Sequence, residues 1–202
     1  IAARLCRFYN RAKLKGEKCK EAYLSEAVKI YSWEKSVLFD RETGAVYDHI
    51  NKQGEIKKNW IFTYNIGTFL GAAHELYLIT DDKQYLEDAI LAANYVVENM
   101  SNNRGVLDDA PNGDGGLFHG IFFRYFVKLI NEESVAKETR TKFHSYLTRL
   151  ARTMLENGIN RNTMLYGGRW WKAPADKEIV SLTPHLSGCM LMEAMATLKP
   201  LK

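Results

Sequence analysis

Cysteine is scarce in this chain of 202 residues: Cys6, Cys19 and Cys189 are all there are. An odd number without metal-ligand spacing argues neither a disulfide framework nor a zinc site. Long apolar runs are missing too, and none approaches the roughly 18 residues needed to cross a membrane. No charge of one sign dominates, because 28 Lys and Arg are interspersed with 24 Asp and Glu for a net charge of +4. That balance describes a solvated helical surface and speaks against nucleic acid as a partner. There is no starting Met, signal peptide or cap ahead of the helical pattern Ile1-Ala2-Ala3-Arg4-Leu5-Cys6-Arg7-Phe8-Tyr9. The chain is therefore expected to open in mid-helix, as a piece of something longer.

What is present is an ordinary apolar fraction of 46% on a length that suits one substantial core. Apolar residues recur at three- and four-residue spacing through most of the chain. They predict helices at about Ala2 to Leu14, Lys20 to Leu38, Thr63 to Thr80, Lys83 to Met100, Leu117 to Ile130, Glu133 to Asn157 and Thr183 to Leu198. The clearest stripes are Leu70, Ala73, Leu76 and Tyr77, then Tyr85, Ala89, Ala92, Ala93 and Val96, with Thr80-Asp81-Asp82 breaking the first and capping the second. Trp33 falls in a helix stripe and is expected in the core.

Tight joints at Thr80 to Lys83 and Ile130 to Ser134 alternate with long Gly-, Asn- and Asp-rich connections at Phe39 to Phe62, Ser101 to Gly116 and Gly158 to Ile179. This pattern predicts an all-α array of helical hairpins whose long loops carry function. A brief hairpin at Ala45 to Ile50 is the one strand-like element expected. Seven helices are an odd number for a closed array, which again points to missing material. Two polar turns open helices: Tyr64-Asn65-Ile66-Gly67, and Asp114-Gly115-Gly116-Leu117-Phe118-His119-Gly120-Ile121. Helix mouths lined by Asn, Asp, His and aromatics suit the hydroxyls and ring faces of sugars.

Four segments in order resemble glycoside hydrolase family 76. Phe62-Thr63-Tyr64-Asn65-Ile66-Gly67-Thr68-Phe69-Leu70-Gly71-Ala72-Ala73-His74-Glu75-Leu76-Tyr77 is similar to its T-Y-N-Q-G-x-x-x-G-A-x-x-E-L-Y signature. Phe118-His119-Gly120-Ile121-Phe122-Phe123-Arg124-Tyr125 is similar to its F-K-G-I-F-x-R-Y segment. Ala2-Ala3-Arg4-Leu5 resembles its L-A-A-R-L-Y helix, and Thr183-Pro184-His185-Leu186-Ser187-Gly188 its T-x-x-Q-S-G close. The departures are Ile66 for Gln, His119 for Lys and His185 before the expected Gln-Ser. The resemblance implies an (α/α)6 barrel and retaining, endo-acting cleavage of α-1,6-linked mannan, without metal or cofactor. It also implies a secreted or cell-surface protein. The family's adjacent Asp-Asp catalytic pair is expected on an earlier helix, upstream of Ile1. Residues 1–202 then correspond to a single domain portion, the C-terminal half or more of the family domain.

Each candidate residue has two readings. Asp108 and Asp109 are an adjacent acidic pair in a long loop; retaining glycosidases need two carboxyl groups about 5 to 5.5 Å apart, but Asp is also a common turn residue. Asp114 either accepts from sugar hydroxyls, with Gly115 and Gly116 admitting substrate to the backbone, or caps a helix. Tyr64 and Asn65 either bind sugar or serve as a packed ring and an N-cap. Asp48 in Val46-Tyr47-Asp48-His49-Ile50 either lines the same mouth or makes a turn. His119 either titrates near neutrality or caps its helix. Trp170, with Trp60 and Trp171, either stacks on a sugar ring or anchors a loop. Arg124 among its aromatics is expected to form a structural ion pair, and Glu75 to pair with a nearby cation.

The leading expectation is an α-mannan hydrolase with a polysaccharide or oligosaccharide as its partner. Rival readings are a non-catalytic glycan-binding or scaffold protein, a helical-repeat docking module, and another (α/α)6 enzyme such as a lyase or epimerase. If the array is open, its exposed helix faces are also expected to permit self-association.

Overall fold

The computed structural model describes residues 1–11 and 17–201. Among the described residues there are seven α-helices: α1 (Ala2–Arg11), α2 (Glu17–Val37), α3 (Thr63–Thr80), α4 (Lys83–Asn99), α5 (Phe118–Ile130), α6 (Lys137–Thr153) and α7 (Leu182–Thr197). Among the described residues there is no strand. Five isolated antiparallel bridges occur instead, and three of them, Phe39 with Val46, Tyr47 with Ile61 and Ile50 with Ile56, involve the segment expected to pair briefly, Ala45 to Ile50. The end of the first expected helix, at Leu14, lies outside the described residues, and the second helix begins at Glu17, ahead of the expected Lys20. The chain forms two compact units, Ile1–Ala93 and Asn94–Lys202.

In the first unit α3 is the central element. It is buried on most sides, Ile66, Phe69, Leu70 and Ala73 completely so. Glu75, also buried, receives Arg4 Nε at 3.2 Å and the Arg7 guanidinium, which ties α1 to α3. The helix ends where Asp81 adopts the left-handed conformation at φ 59° and donates its N–H to Tyr77 O at 2.8 Å. Asp82 Oδ1 then accepts the Gln84 N–H at 3.0 Å, so the expected break and cap at this joint are both present.

α2 turns Ala27 and Tyr31 inward, and Leu38 is buried just past its end. Tyr31 donates to Asp88 Oδ2 at 2.6 Å, and the Lys35 ammonium pairs with the same carboxylate. Trp33 does not belong to this face. It is 52% exposed beside Ile30, contrary to its expected core position. Its spacing is helical, but a helix has two faces and the stripe of Tyr31 took the inner one.

The second unit is organised by aromatic packing of α5, whose Phe122, Phe123, Phe126 and Leu129 are fully buried. Phe126 stacks on Phe122 at 4.7 Å and meets Phe143 of α6 at 5.1 Å. Arg124 is exposed and forms no ion pair among the described residues, so that expectation fails. α6 starts at Lys137 rather than Glu133, because the preceding turn buries Val135 and Arg140 Nε reaches back to Ile130 O at 3.0 Å. Beyond Thr153 it widens into a π-type turn, Met154–Gly158.

The polar turn ahead of α5 is anchored from α7. Ser187 Oγ accepts the Gly120 N–H at 3.0 Å and donates to Gly116 O at 2.5 Å. These are a donor and an acceptor four residues apart, the pair that a continuous helix would join directly. Gly116 leaves room for the start of α7, since a Cβ there would lie 2.6 Å from both Pro184 Cδ and Thr183 Oγ1. This glycine therefore admits a neighbouring segment of the chain rather than a ligand.

Candidate functional site

In the first unit the connection after α2 carries Asp48 to the start of α3. Asp40 caps its turn, accepting the N–H groups of Glu42 and Thr43 at 2.9 and 3.1 Å. Gly44, at φ +87°, lets the turn lie on α4: a Cβ there would be 2.3 Å from Leu91 O. Buried Ala45 and Val46 fix the returning segment, and Asp48 N–H bonds Trp60 O at 3.0 Å.

So placed, the Asp48 carboxylate meets the first turn of α3. Oδ1 accepts from the Tyr64 hydroxyl in a short hydrogen bond and from Asn65 Nδ2 at 3.3 Å; Oδ2 accepts from His49 Nδ1 at 2.6 Å. Burial pushes this carboxyl upward, but the hydrogen bonds from Tyr64, His49 and Asn65 outweigh it and hold Asp48 below the usual carboxylate range. Asp48 is thus a fixed anion at neutral pH, suited to accepting hydrogen bonds and unsuited to donating a proton. Tyr64 is raised, first by burial and then by its bond to Asp48, so it remains a phenol.

Asn65 is not the helix N-cap. That position is Phe62, in extended conformation, and Asn65 lies three residues on. Its side chain is 8% exposed, and Oδ1 is buried without a hydrogen-bond partner. A buried amide oxygen left unpaired is costly unless a ligand or water completes it. Trp60 stands beside this cluster at 39% exposure, edge-on to His49 with centroids 5.5 Å apart, and Lys57 Nζ lies 4.2 Å from its ring centre. The structure therefore brings together Asp48, Tyr64 and Asn65 of the expected set. His49 was passed over in the sequence, although its position next to Asp48 was visible.

The second unit holds the other candidates. His119 Nε2 donates to the backbone carbonyl of Asp108 at 3.0 Å. Desolvation pulls its imidazole from 6.5 down to about 4, against smaller upward contributions from Asp108 and Asp109. It is therefore neutral near pH 7, and the expectation that it titrates near neutrality is corrected. Trp170 is also corrected as a stacking residue: it is fully buried among Phe123, Tyr166 and His119, with Nε1 on Asp108 O at 3.3 Å. The exposed indole is that of Trp171, 44% accessible, whose Nε1 donates to Asp109 Oδ2 at 3.1 Å. Asp114 opens a 3₁₀ turn but does not cap it, because Gly113 holds the cap position. The Asp114 side chain is exposed. No group of His, Cys, Asp and Glu among the described residues could hold a metal ion.

An all-α order of hairpins joined by long loops that carry carboxylates, amides and aromatic rings places the chain in the (α/α)6 fold class. The chain belongs to glycosyl hydrolase family 76, whose sequence profile matches residues 1–201. Among solved structures it is similar to the GH76A α-1,6-mannanase of Salegentibacter sp. HEL1_6, with 38% identity and a TM-score of 0.84 over 96% of this chain and 56% of that one. An inactive variant of that mannanase, with two consecutive aspartates changed to alanine and bound to α-1,6-mannotetrose, matches at 39% identity and TM-score 0.85, with the same coverage of 96% and 56%. The Lin0763 protein of Listeria innocua matches at 32% identity and TM-score 0.81, over 98% of this chain and 53% of that one. The chain thus spans about half the length of these relatives. No curated protein sequence shows significant similarity to it.

Proposed function

We propose that this chain is the C-terminal portion of an (α/α)6 hydrolase that cleaves α-1,6-linked mannan by retaining, endo-acting chemistry. The observation that carries this reading is the Asp48 cluster, which pairs an anchored anionic acceptor with the unpartnered Asn65 Oδ1. The family membership and the α-1,6-mannanase neighbour supply the substrate class.

Asp48 Oδ1 and Oδ2 already hold Tyr64, Asn65 and His49, which leaves limited lone-pair capacity for one more donor. A mannose hydroxyl that donates to Asn65 Oδ1 and accepts from a ring neighbour completes the set. Tyr64 and Trp60 provide ring faces. Such contacts orient the sugar, and orientation lowers the barrier as effectively as proton transfer does. Asp114 and His119 are retained as weaker contacts of the same function.

Double displacement requires one carboxyl group as nucleophile and another as acid/base. We assign these roles to the Asp-Asp pair that the family resemblance puts upstream of Ile1, and not to Asp108 and Asp109. The backbone carbonyl of Asp108 is bonded by His119 and Trp170, and the Asp109 carboxylate by Trp171, which makes this pair part of a loop anchor.

The test is release of new reducing ends from linear α-1,6-mannan by the intact protein, with the anomer of the first product read by NMR. Oligosaccharides released with the α-configuration support the reading. Saturable binding without cleavage would favour the non-catalytic glycan-binding alternative, and neither binding nor cleavage would refute both.

A further inference from the structure

The connections that follow α2, α4 and α6 share one local design. In each, an Asx oxygen caps the turn: Asp40 as above, Asn102 Oδ1 from Arg104 N–H at 2.9 Å, and Asn160 Oδ1 from Asn162 and Thr163 N–H at 2.8 and 3.0 Å. The backbone of the same residue bonds twice across the turn. Asp40 does so with Gly44 and Ala45, Asn102 with Gly105 and Val106, and Asn160 with Met164 and Leu165. The turning residue has positive φ each time, +87° at Gly44, +69° at Gly105 and +59° at Met164. A bridge closes each hairpin, pairing Phe39 with Val46, Ser101 with Leu107 and Ile159 with Tyr166. Two residues past the bridge stand Asp48, Asp109 and Gly168.

The first of these exits is the Asp48 carboxylate. The third is closed: Gly168 O accepts the Ala110 N–H at 2.9 Å, and a Cβ at Gly168 would sit 2.5 Å from Ala110 O. The second exit, Asp109, is exposed, with Oδ2 held by the Trp171 indole N–H, just as Oδ1 of Asp48 is held by the Tyr64 hydroxyl. Its Oδ1 makes no hydrogen bond among the described residues. The Trp171 ring is 44% exposed, and the Arg104 guanidinium lies 5.6 Å from its centre. Tyr166, within reach of the Asp109 charge, has a buried hydroxyl with no partner.

We infer that Asp109 and Trp171 form a second hexose subsite, built on the same hairpin as the Asp48 cluster and taking a mannose unit of an α-1,6-linked oligosaccharide. The apolar face of the sugar lies on the indole, on the side not covered by Arg104, and a hydroxyl donates to Asp109 Oδ1. Carboxylate acceptor and exposed ring together fit the mixed polar and apolar surface of a pyranose. The inference rests on the mannan reading, and it makes Asp109 a binding residue rather than a nucleophile.

Calorimetric titration of the intact protein with α-1,6-mannotetraose tests it, using Trp171→Ala, Asp109→Ala and the shape-preserving Trp171→Phe and Asp109→Asn. Loss of a charge-assisted hydrogen bond or of the ring should weaken binding roughly tenfold in each alanine variant. Circular dichroism and Tm should stay at wild-type values, and Trp171→Phe should lose less than Trp171→Ala. Wild-type binding with unchanged affinity in all four variants overturns the subsite and leaves the mannan reading standing. Equal binding of an α-1,6-linked glucotetraose overturns the assignment to mannose. A wild-type protein that binds no mannotetraose overturns the subsite together with the reading beneath it.

Discussion

Replacing Ser187 with alanine removes one oxygen atom and strands two buried backbone groups. The Ser187 hydroxyl, on a residue 1% exposed, takes the Gly120 N–H at 3.0 Å and gives its own proton to Gly116 O at 2.5 Å. Alanine fills nearly the same volume, so cavity formation adds little and the effect isolates the hydrogen bonds. An unsatisfied buried donor or acceptor costs about 1–3 kcal/mol. Two stranded groups then predict a loss of roughly 2–6 kcal/mol. The lower end applies if the turn tightens until Gly120 N–H reaches Gly116 O directly, as in a regular helix. Trp170 and Trp171 lie in the same unit and report its unfolding, so a urea titration followed by tryptophan fluorescence gives the free energy by linear extrapolation. Ser187→Cys, which keeps a weak donor and acceptor, should fall between serine and alanine. A Ser187→Ala protein within about 0.5 kcal/mol of wild type, the range of a neutral surface change, would show that the hydroxyl does not hold the two helices together.

Three further outcomes follow from the same structure. Asp88→Ala leaves Lys35 and Tyr31 without their shared carboxylate, and breaking a buried pair of this kind should destabilise by about 3–5 kcal/mol in a denaturant titration. Tyr31→Phe, which removes only the 2.6 Å hydrogen bond, should cost less. Gly44→Ala should lower thermal stability, because the left-handed conformation costs a side chain about 1–2 kcal/mol and the new Cβ meets Leu91 O at 2.3 Å. His119 has a folded-state pKa of about 4 against 6.5. The unfolded state therefore binds the extra proton first, so the stability due to neutral His119 is complete above pH 6.5 and is lost as pH falls toward 4. His119→Gln keeps a donor for Asp108 O and should flatten the Tm-versus-pH curve in that window.

The family motifs were legible in the sequence, but much of what they do is structural. Tyr64 and Asn65 were visible as the mouth of α3, and they are found there, joined to Asp48. Ser187 and Gly188 were visible only as a closing signature. In the fold Ser187 bonds the α5 turn and Gly188 lies against Tyr166, where a Cβ would be 2.6 Å from Cδ1. The shared hairpin was present in the text as Asp40-Arg41-Glu42-Thr43-Gly44, Asn102-Asn103-Arg104-Gly105 and Asn160-Arg161-Asn162-Thr163-Met164. Its copies differ in length and in turning residue, so no fixed period exposes them. Their likeness lies in φ and in hydrogen bonds.

Local interactions explain what the sequence settles alone. Periodic apolar residues, the Asp81–Asp82 joint and the capping Asx residues act within a turn or two of the chain, and they set the helices and the loops between them. Side-chain exposure and pairing are decided by residues far apart in sequence. Trp170 and Trp171 are adjacent and chemically identical, yet one is fully buried and the other 44% exposed, because the first packs against Phe123 and Tyr166 while the second turns out to Asp109. The same holds for Asp48, whose charge is fixed by partners on α3 that only the fold brings to it.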